Sequence, residues 1–187
     1  AALDRALQEG LAALGQSLPE QAQAQLLQYL GLLERWNRTF NLTAVRDPAA
    51  MIPRHLLDSL AVLPWLRGDR VLDVGTGAGL PGIPLAVARP DWRFVLLDSN
   101  GKKTRFVTQA AAELGLGNVA VVKDRVEAHR PDVPYATIVS RAFASLAAFL
   151  DATGHLCAPG TRILAMKGVY PQAELDGLDH PRVGLQS

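Results

Sequence analysis

One cysteine, Cys157, is present among 187 residues, which excludes a disulfide framework and a cysteine-ligated zinc site, and no metal is expected. An excess of charge is lacking too: 19 basic against 18 acidic side chains leave a net +1. Nucleic-acid binding is thus neither advertised nor excluded, and any basic surface has to be local. No apolar run reaches bilayer-spanning length, and no secretory pattern opens the sequence, so a soluble, cytoplasmic protein without membrane partners is the expectation. What the chain has is apolar material, 49% of its residues, enough for one substantial core with an appendage.

The segment around which the rest is arranged is RVLDVGTGAGLPGIPL, residues 70–85. An apolar run holds Asp73, then Gly75, Gly77, Gly79 and Gly82 follow before apolar residues resume: a strand, a tight turn and a helix. Glycine permits positive φ and puts no Cβ between chain and ligand, so a nucleotide-like molecule can lie against the amides at the helix N-terminus. Two ligand classes fit. Gly77-x-Gly79-x-x-Gly82 satisfies the dinucleotide fingerprint, and Asp98 closes the next apolar run where a ribose-binding acid belongs. Asp73 argues for the other class, because its carboxylate would repel a pyrophosphate and suits the ammonium and sulfonium of S-adenosylmethionine. S-adenosylmethionine is the expected cofactor. An NAD-dependent oxidoreductase is the enzyme alternative, and a non-catalytic RNA-binding protein with a methyltransferase-like fold is the third reading.

Up to about residue 66 the periodicity is helical. Leu3, Leu7, Leu11 and Leu14 share one face of a first helix ended by Gly15 and Pro19; Leu26, Leu27, Leu30, Leu33 and Trp36 stripe a second. Residues 37–43, Asn-Arg-Thr-Phe-Asn-Leu-Thr, lack a helical period and read as an ordered loop. A third helix runs from Asp47 and Pro48 to Pro64. It carries His55 and Asp58, read as a structural hydrogen-bonding pair rather than a catalytic one. From Arg70 the rhythm becomes strand, helix, strand, with strands predicted at Arg70–Val74, Arg93–Leu97, Val119–Lys123, Ala136–Ser140 and Arg162–Met166. Helices fall at Ile83–Arg89, Lys102–Leu114 and Ser145–Leu156. The fold class is α/β, a Rossmann-like, mostly parallel sheet with helices on both faces. Residues 1–66 form an N-terminal helical extension and residues 67–187 the core.

Each predicted strand ends in polar residues: Asp73, Asp98, Asp124-Arg125-Val126-Glu127, Ser140-Arg141 and Lys167-Gly168. Burial alone would favour apolar residues there, and parallel sheets bind ligands along that rim. Lys102, Lys103, Arg105, Arg125, Arg141 and Lys167 make the rim basic, as phosphates require. Nucleic acid is the expected substrate. Two absences then narrow the chemistry. Transfer to carbon five of a pyrimidine needs a cysteine nucleophile, and Cys157 lies away from the rim. Transfer to an exocyclic amine commonly uses an acid or amide with Pro-Pro and an aromatic after the fourth strand, where this chain reads Ser140-Arg141-Ala142-Phe143. A ring nitrogen with a free lone pair, such as guanine N7, needs only to be held in line.

In these segments the chain resembles the bacterial small-subunit ribosomal RNA guanine-N7 methyltransferases, the RsmG or GidB family, from about Leu32 to Gly168. The matching blocks are Leu33-Glu34-Arg35-Trp36-Asn37 with Phe40-Asn41-Leu42-Thr43, Arg54-His55-Leu56-Leu57-Asp58-Ser59, the glycine turn, Leu97-Asp98-Ser99 with Lys102, Arg125-Val126-Glu127, Ser140-Arg141-Ala142-Phe143-Ala144 and Lys167-Gly168. Glycine turns are widely shared; the Asn-Leu-Thr, His-Leu-Leu-Asp-Ser and Ser-Arg-Ala-Phe-Ala blocks are specific. The resemblance implies a class I, S-adenosylmethionine-dependent fold that methylates N7 of guanine 527 in 16S rRNA, and a monomer working on the small ribosomal subunit or a precursor is the expectation. It implies that Gly75 and Leu80 line the cofactor, Val126 and Glu127 its adenosine end, and Arg141 the floor between cofactor and base. Asp98 would accept from the ribose hydroxyls, beside Asp73, Gly77 and Gly79 of the turn. Arg125, Lys102 and Lys167 would serve RNA or the reacting base, so that Arg141, Lys167 and Arg125 form the catalytic set. A class I sheet normally ends with two further strands, and only Arg182 to Leu185 could begin a sixth here, so incomplete C-terminal strands are expected.

Overall fold

The computed structural model describes residues 1–166. Lys167, Gly168 and the segment Arg182 to Leu185 therefore lie outside the described residues. Five strands, β1 (Arg70–Val74), β2 (Arg93–Asp98), β3 (Val119–Lys123), β4 (Thr137–Ser140) and β5 (Arg162–Ala165), form one sheet in the order β3-β2-β1-β4-β5. Every pairing is parallel. All C-terminal strand ends share one rim, and the strand order reverses between β1 and β4, where open α/β sheets bind ligands.

Alternation along the strands sorts the core into two layers. Val71, Phe94, Leu96 and Val139 face a cluster with α5 (Gly82–Ala88), α6 (Gly101–Glu113) and the N-terminal helices. Leu72, Val74, Val95, Leu97 and Ile138 face the other side, with Phe149 of α7 (Leu146–Thr153) and Leu156. Asp73 stands in register with Val71, on the face covered by the N-terminal helices.

Those helices are α1 (Ala2–Ala13), α2 (Glu20–Phe40), α3 (Pro48–Met51) and α4 (Asp58–Leu60). α2 lies antiparallel to α6: Gln25 Nε2 donates to Leu114 O at 2.9 Å near the C-terminal end of α6, whereas the Trp36 ring meets Phe106 at 5.5 Å in its first half. The C-terminal end of α2 is thereby delivered to the sheet's functional rim. It also runs further than its sequence suggests, through residues 37–40. Trp36 and Phe40, four apart, pack at 5.4 Å between centroids, and this tertiary anchoring adds the turn. Asn41, left-handed at φ 50 and bonded from its amide to Asn37 O, ends the helix.

The third predicted helix is not one helix. Between α3 and α4, residues Ile52–Leu57 form a π-helical turn, closed by Asp58 N donating to Pro53 O. Pro53 has no N–H to give to the preceding turn and its ring crowds the carbonyl four residues earlier, so the helix widens there. Smaller differences are at boundaries: β2 extends to Asp98, β4 begins at Thr137, β5 stops at Ala165, and Gly154–Leu156 is a separate 3-10 turn after α7.

Candidate active site

The glycine turn is tied down from below. Asp73 is 0% exposed; its Oδ2 accepts from Thr76 Oγ1 at 2.7 Å and from Gly82 N at 2.9 Å. Its Oδ1 is buried with no hydrogen-bond partner. Burial pushes the Asp73 carboxyl up to about 8, against the opposing pull of its two hydrogen bonds and of the Arg141 charge. Gly82 is glycine because a Cβ there would sit 2.6 Å from Leu96 Cγ and 2.8 Å from Asp73 Oδ2.

Asp98 holds the turn from the side. Its Oδ2 accepts from Gly77 N at 2.9 Å and its Oδ1 from Asn100 N at 2.8 Å. Four further amides of the turn are also engaged: Gly75 N and Thr76 N donate to Leu97 O at 2.8 and 3.0 Å, and Gly79 N and Leu80 N both donate to Thr76 O at 2.9 Å. The sequence suggested that a ligand would lie against these amides. Those four and Gly77 N are turned inward instead, and a pyrophosphate would find them occupied, which counts against the dinucleotide alternative. Leu80 and Gly79 are buried, with Gly75 and Gly77 partly exposed on the open side.

At the switch point the turn meets the end of β4. Gly75 has φ +68, and a Cβ on it would lie 2.6 Å from Ala142 Cβ. Ser140 Oγ donates to Val74 O at 2.6 Å and accepts from Ala142 N at 3.1 Å, fixing the chain on both sides of Arg141. Arg141 is exposed, and its charge is felt by Asp73 of β1, His55 of the π-helical turn and Tyr29 of α2. At the far edge of the rim, after β3, Arg125 is exposed, with its amide donating to Asp124 Oδ1 at 2.8 Å. Val126 is buried against the second core layer and Glu127 is exposed. Lys102 is exposed in the first turn of α6, whose amides Lys102 N and Lys103 N are capped by Asn100 Oδ1 at 3.0 and 3.1 Å.

Sequence reasoning missed what the N-terminal helices bring. Tyr29, wholly buried, donates its hydroxyl to Ala78 O at 2.7 Å, bracing the tip of the glycine turn. Burial keeps its phenol protonated, far above the ordinary range. It sits in a leucine stripe and carries no sequence signal of this task. Asn37 Oδ1 accepts from Thr43 N at 2.9 Å, and Thr43 Oγ1 shares a 2.9 Å hydrogen bond with His55 Nε2. His55 therefore joins segments, in keeping with a structural role, although its partner is Thr43 and not Asp58. Burial first, and Arg141 second, hold its imidazole below the ordinary value. The aperiodic Asn-Leu-Thr stretch was the available signal for this network.

Replacing Asp98 by alanine frees the Gly77 amide and removes the acid at the end of β2. We expect the affinity for S-adenosylhomocysteine to fall by one to two decades, as for loss of a charge-assisted hydrogen bond of roughly 1.5–3 kcal/mol. Calorimetric titration checks this, and unchanged affinity would remove Asp98 from the site.

A parallel sheet with a glycine turn at the switch point, an acid ending β2 and a polar fourth strand end defines the class I methyltransferase fold. Solved structures agree at the level of fold. The O-methyltransferase TomG from Streptomyces achromogenes, in complex with SAM, matches at a TM-score of 0.55 and 20% identity over 82% of this chain and 70% of its own. A SAM-dependent methyltransferase from Geobacter sulfurreducens, in complex with S-adenosyl-L-homocysteine, matches at 0.51 and 20% identity over 72% of this chain and 54% of its own. Within that class, residues 22–182 match the family model GidB, rRNA small subunit methyltransferase G. Curated relatives named ribosomal RNA small subunit methyltransferase G are 56% identical in Nitrosospira multiformis, over 90% of this chain and 82% of the relative. In Ectopseudomonas mendocina the identity is 57%, over 92% of this chain and 81% of the relative. The chain belongs to the GidB family.

Proposed function

We propose that this protein methylates N7 of guanine 527 in 16S rRNA, using S-adenosylmethionine, on the small ribosomal subunit or a precursor. The observation that carries the reading is the convergence of Arg141, Asp73 and the glycine turn at the switch point of a chain that belongs to this family. S-adenosylmethionine supplies an electrophilic methyl group. The N7 lone pair forms the new N–C bond as the C–S bond breaks, its electron pair stays on sulfur, and the positive charge passes to the base. No proton has to leave the nucleophile, which suits a β4 end whose one hydroxyl, Ser140, is already bonded to Val74 O. What the protein contributes is alignment and charge. Asp73 favours a cationic ligand over the turn; Asp98, Gly75, Gly77, Gly79, Leu80, Val126 and Glu127 shape the cofactor side. Arg141 sits between cofactor and base, and Arg125 and Lys167 hold the RNA and the reacting base, with Lys102 in support.

Residues 1–66 act in this reading as a helical extension serving the site of a core at 67–187. We place the enzyme in the cytoplasm as a monomer; among the described residues no helix is long and apolar enough to cross a membrane. Parallel thermal melts test the cofactor. S-adenosylhomocysteine is expected to raise the transition, because a ligand bound only by the native state stabilises it by mass action. NAD is expected to leave it unmoved. A shift with NAD and none with the homocysteine analogue would replace the methyltransferase reading by the oxidoreductase one.

A further inference from the structure

The basic residues recognised along the rim all come from the sheet's own strand ends and from α6. The fold adds a second set at the same end of the molecule. α2 runs antiparallel to α6, so its C-terminal end and the loop after it stand at the same end of the molecule as Lys102, Lys103 and Arg105. That loop carries Arg46, whose guanidinium Nη2 donates to Asn41 Oδ1 at 2.8 Å. Asn41 is the one described non-glycine residue with positive φ, at 50. That conformation caps α2, and from this fixed position the Asn41 side chain orients the exposed arginine. Between Asn41 and Arg46 the loop is tied through Thr43 to His55 by the 2.9 Å hydrogen bond, and His55 feels the Arg141 charge. Arg54 precedes His55 and is exposed, as is Arg46. Among the described residues the ion pairs are the amino terminus with Asp4 and Arg38 with Glu34, so neither Arg46 nor Arg54 is neutralised. Of their acidic neighbours, Asp47 caps α3 through Ala49 N at 3.1 Å, and Asp58 pairs with neither arginine.

We propose that Arg46 and Arg54 form a second wall of the RNA-binding surface, gripping phosphates that flank the target nucleotide on the side of the site built by the N-terminal helices. The proposal rests on the rRNA reading above and extends it. Arginine suits this place because its planar fork binds phosphate oxygens in pairs, and prior orientation by Asn41 lowers the entropy cost of engaging a phosphate. Phosphate contacts set register and orientation without reading sequence, so the two walls would fix which nucleotide reaches Arg141.

The test uses the full chain and unmethylated small ribosomal subunits, with binding measured across salt concentrations. Removing one phosphate-binding charge flattens the slope of log affinity against log salt by about 0.7 to 0.9. For the double variant Arg46→Gln/Arg54→Gln the slope is expected to flatten by roughly 1.5, with affinity for the subunit several-fold lower. Its S-adenosylhomocysteine affinity is expected to stay at the wild-type value. Arg93→Gln, at the opposite end of the strands, is the control and is expected to leave the slope unchanged. An unaltered slope in the double variant, beside a flattened one in Arg125→Ala, would overturn the second wall and spare the rRNA reading. Loss of S-adenosylhomocysteine affinity in the double variant would also overturn it, by showing that the arginines act on the cofactor side. A wild-type protein that bound equally at low and high salt would overturn the rRNA reading itself.

Discussion

Replacing Arg141 by alanine is expected to slow methyl transfer at least about a hundredfold while S-adenosylhomocysteine still binds. The side chain is exposed, so its loss leaves the core intact. The chain on either side stays pinned by the Ser140 hydroxyl, through Val74 O and Ala142 N. What disappears is a positive charge that acts on Asp73, His55 and Tyr29 together. In-line transfer depends on holding nitrogen, methyl and sulfur collinear, and a misplacement of about 1 Å is worth on the order of a hundredfold in rate. Single-turnover kinetics with saturating cofactor isolate that step. Full activity in the variant would keep the reaction and remove Arg141 from it.

Asp73→Asn is the second substitution with a large expected effect, and its signature is pH dependence. Burial raises the Asp73 carboxyl to about 8 in the folded chain, from an ordinary value of 3.8. The unfolded chain therefore loses this proton first. A group with a raised folded value contributes stability that is fully present below the unfolded value and is lost as pH rises through the folded one. Between about pH 4 and 8 the wild type should thus become progressively less stable through this group, and the asparagine variant should show a flatter profile over the same window. Bound S-adenosylmethionine, a cation above the turn, favours the ionised carboxylate, so its binding below about pH 8 should release a proton. In the variant that proton release should vanish, and affinity should fall by one to two decades, corresponding to roughly 1.5–3 kcal/mol. Melts across the pH range, with calorimetry in buffers of different ionisation heat, read all three quantities. Identical pH profiles for the two proteins would show that Asp73 is ionised in the fold.

The strands were legible because each is a short apolar run closed by a polar residue, and the glycine turn because Gly75 and Gly82 stand where a Cβ would collide with Ala142 and with Leu96. Parallel pairing made the rim legible too, since every strand end then falls on one edge. What stayed hidden depends on contacts between distant segments. Tyr29 has the spacing of a core residue, and only the fold brings its hydroxyl to Ala78 O. The last turn of α2 was hidden because residues 37–40 have no helical period of their own; Phe40 is held there by Trp36, which in turn packs on Phe106. Pro53 could be read as a helix breaker, yet the chain widens into a π-helical turn and continues, keeping His55 buried beside Thr43. Asp73 was legible as an acid before glycines, but its position beneath the turn was not, because alternation along β1 assigns a face without saying what covers it.

The most direct test of the proposed reaction locates the methyl group. Unmethylated small ribosomal subunits are incubated with the protein and S-adenosylmethionine, and the RNA is treated with borohydride and then aniline, which break the strand at N7-methylguanine. One enzyme-dependent break is expected, at guanine 527 of 16S rRNA. A methyl group on an exocyclic amine, on carbon five, on ribose or at another guanine would contradict the assignment.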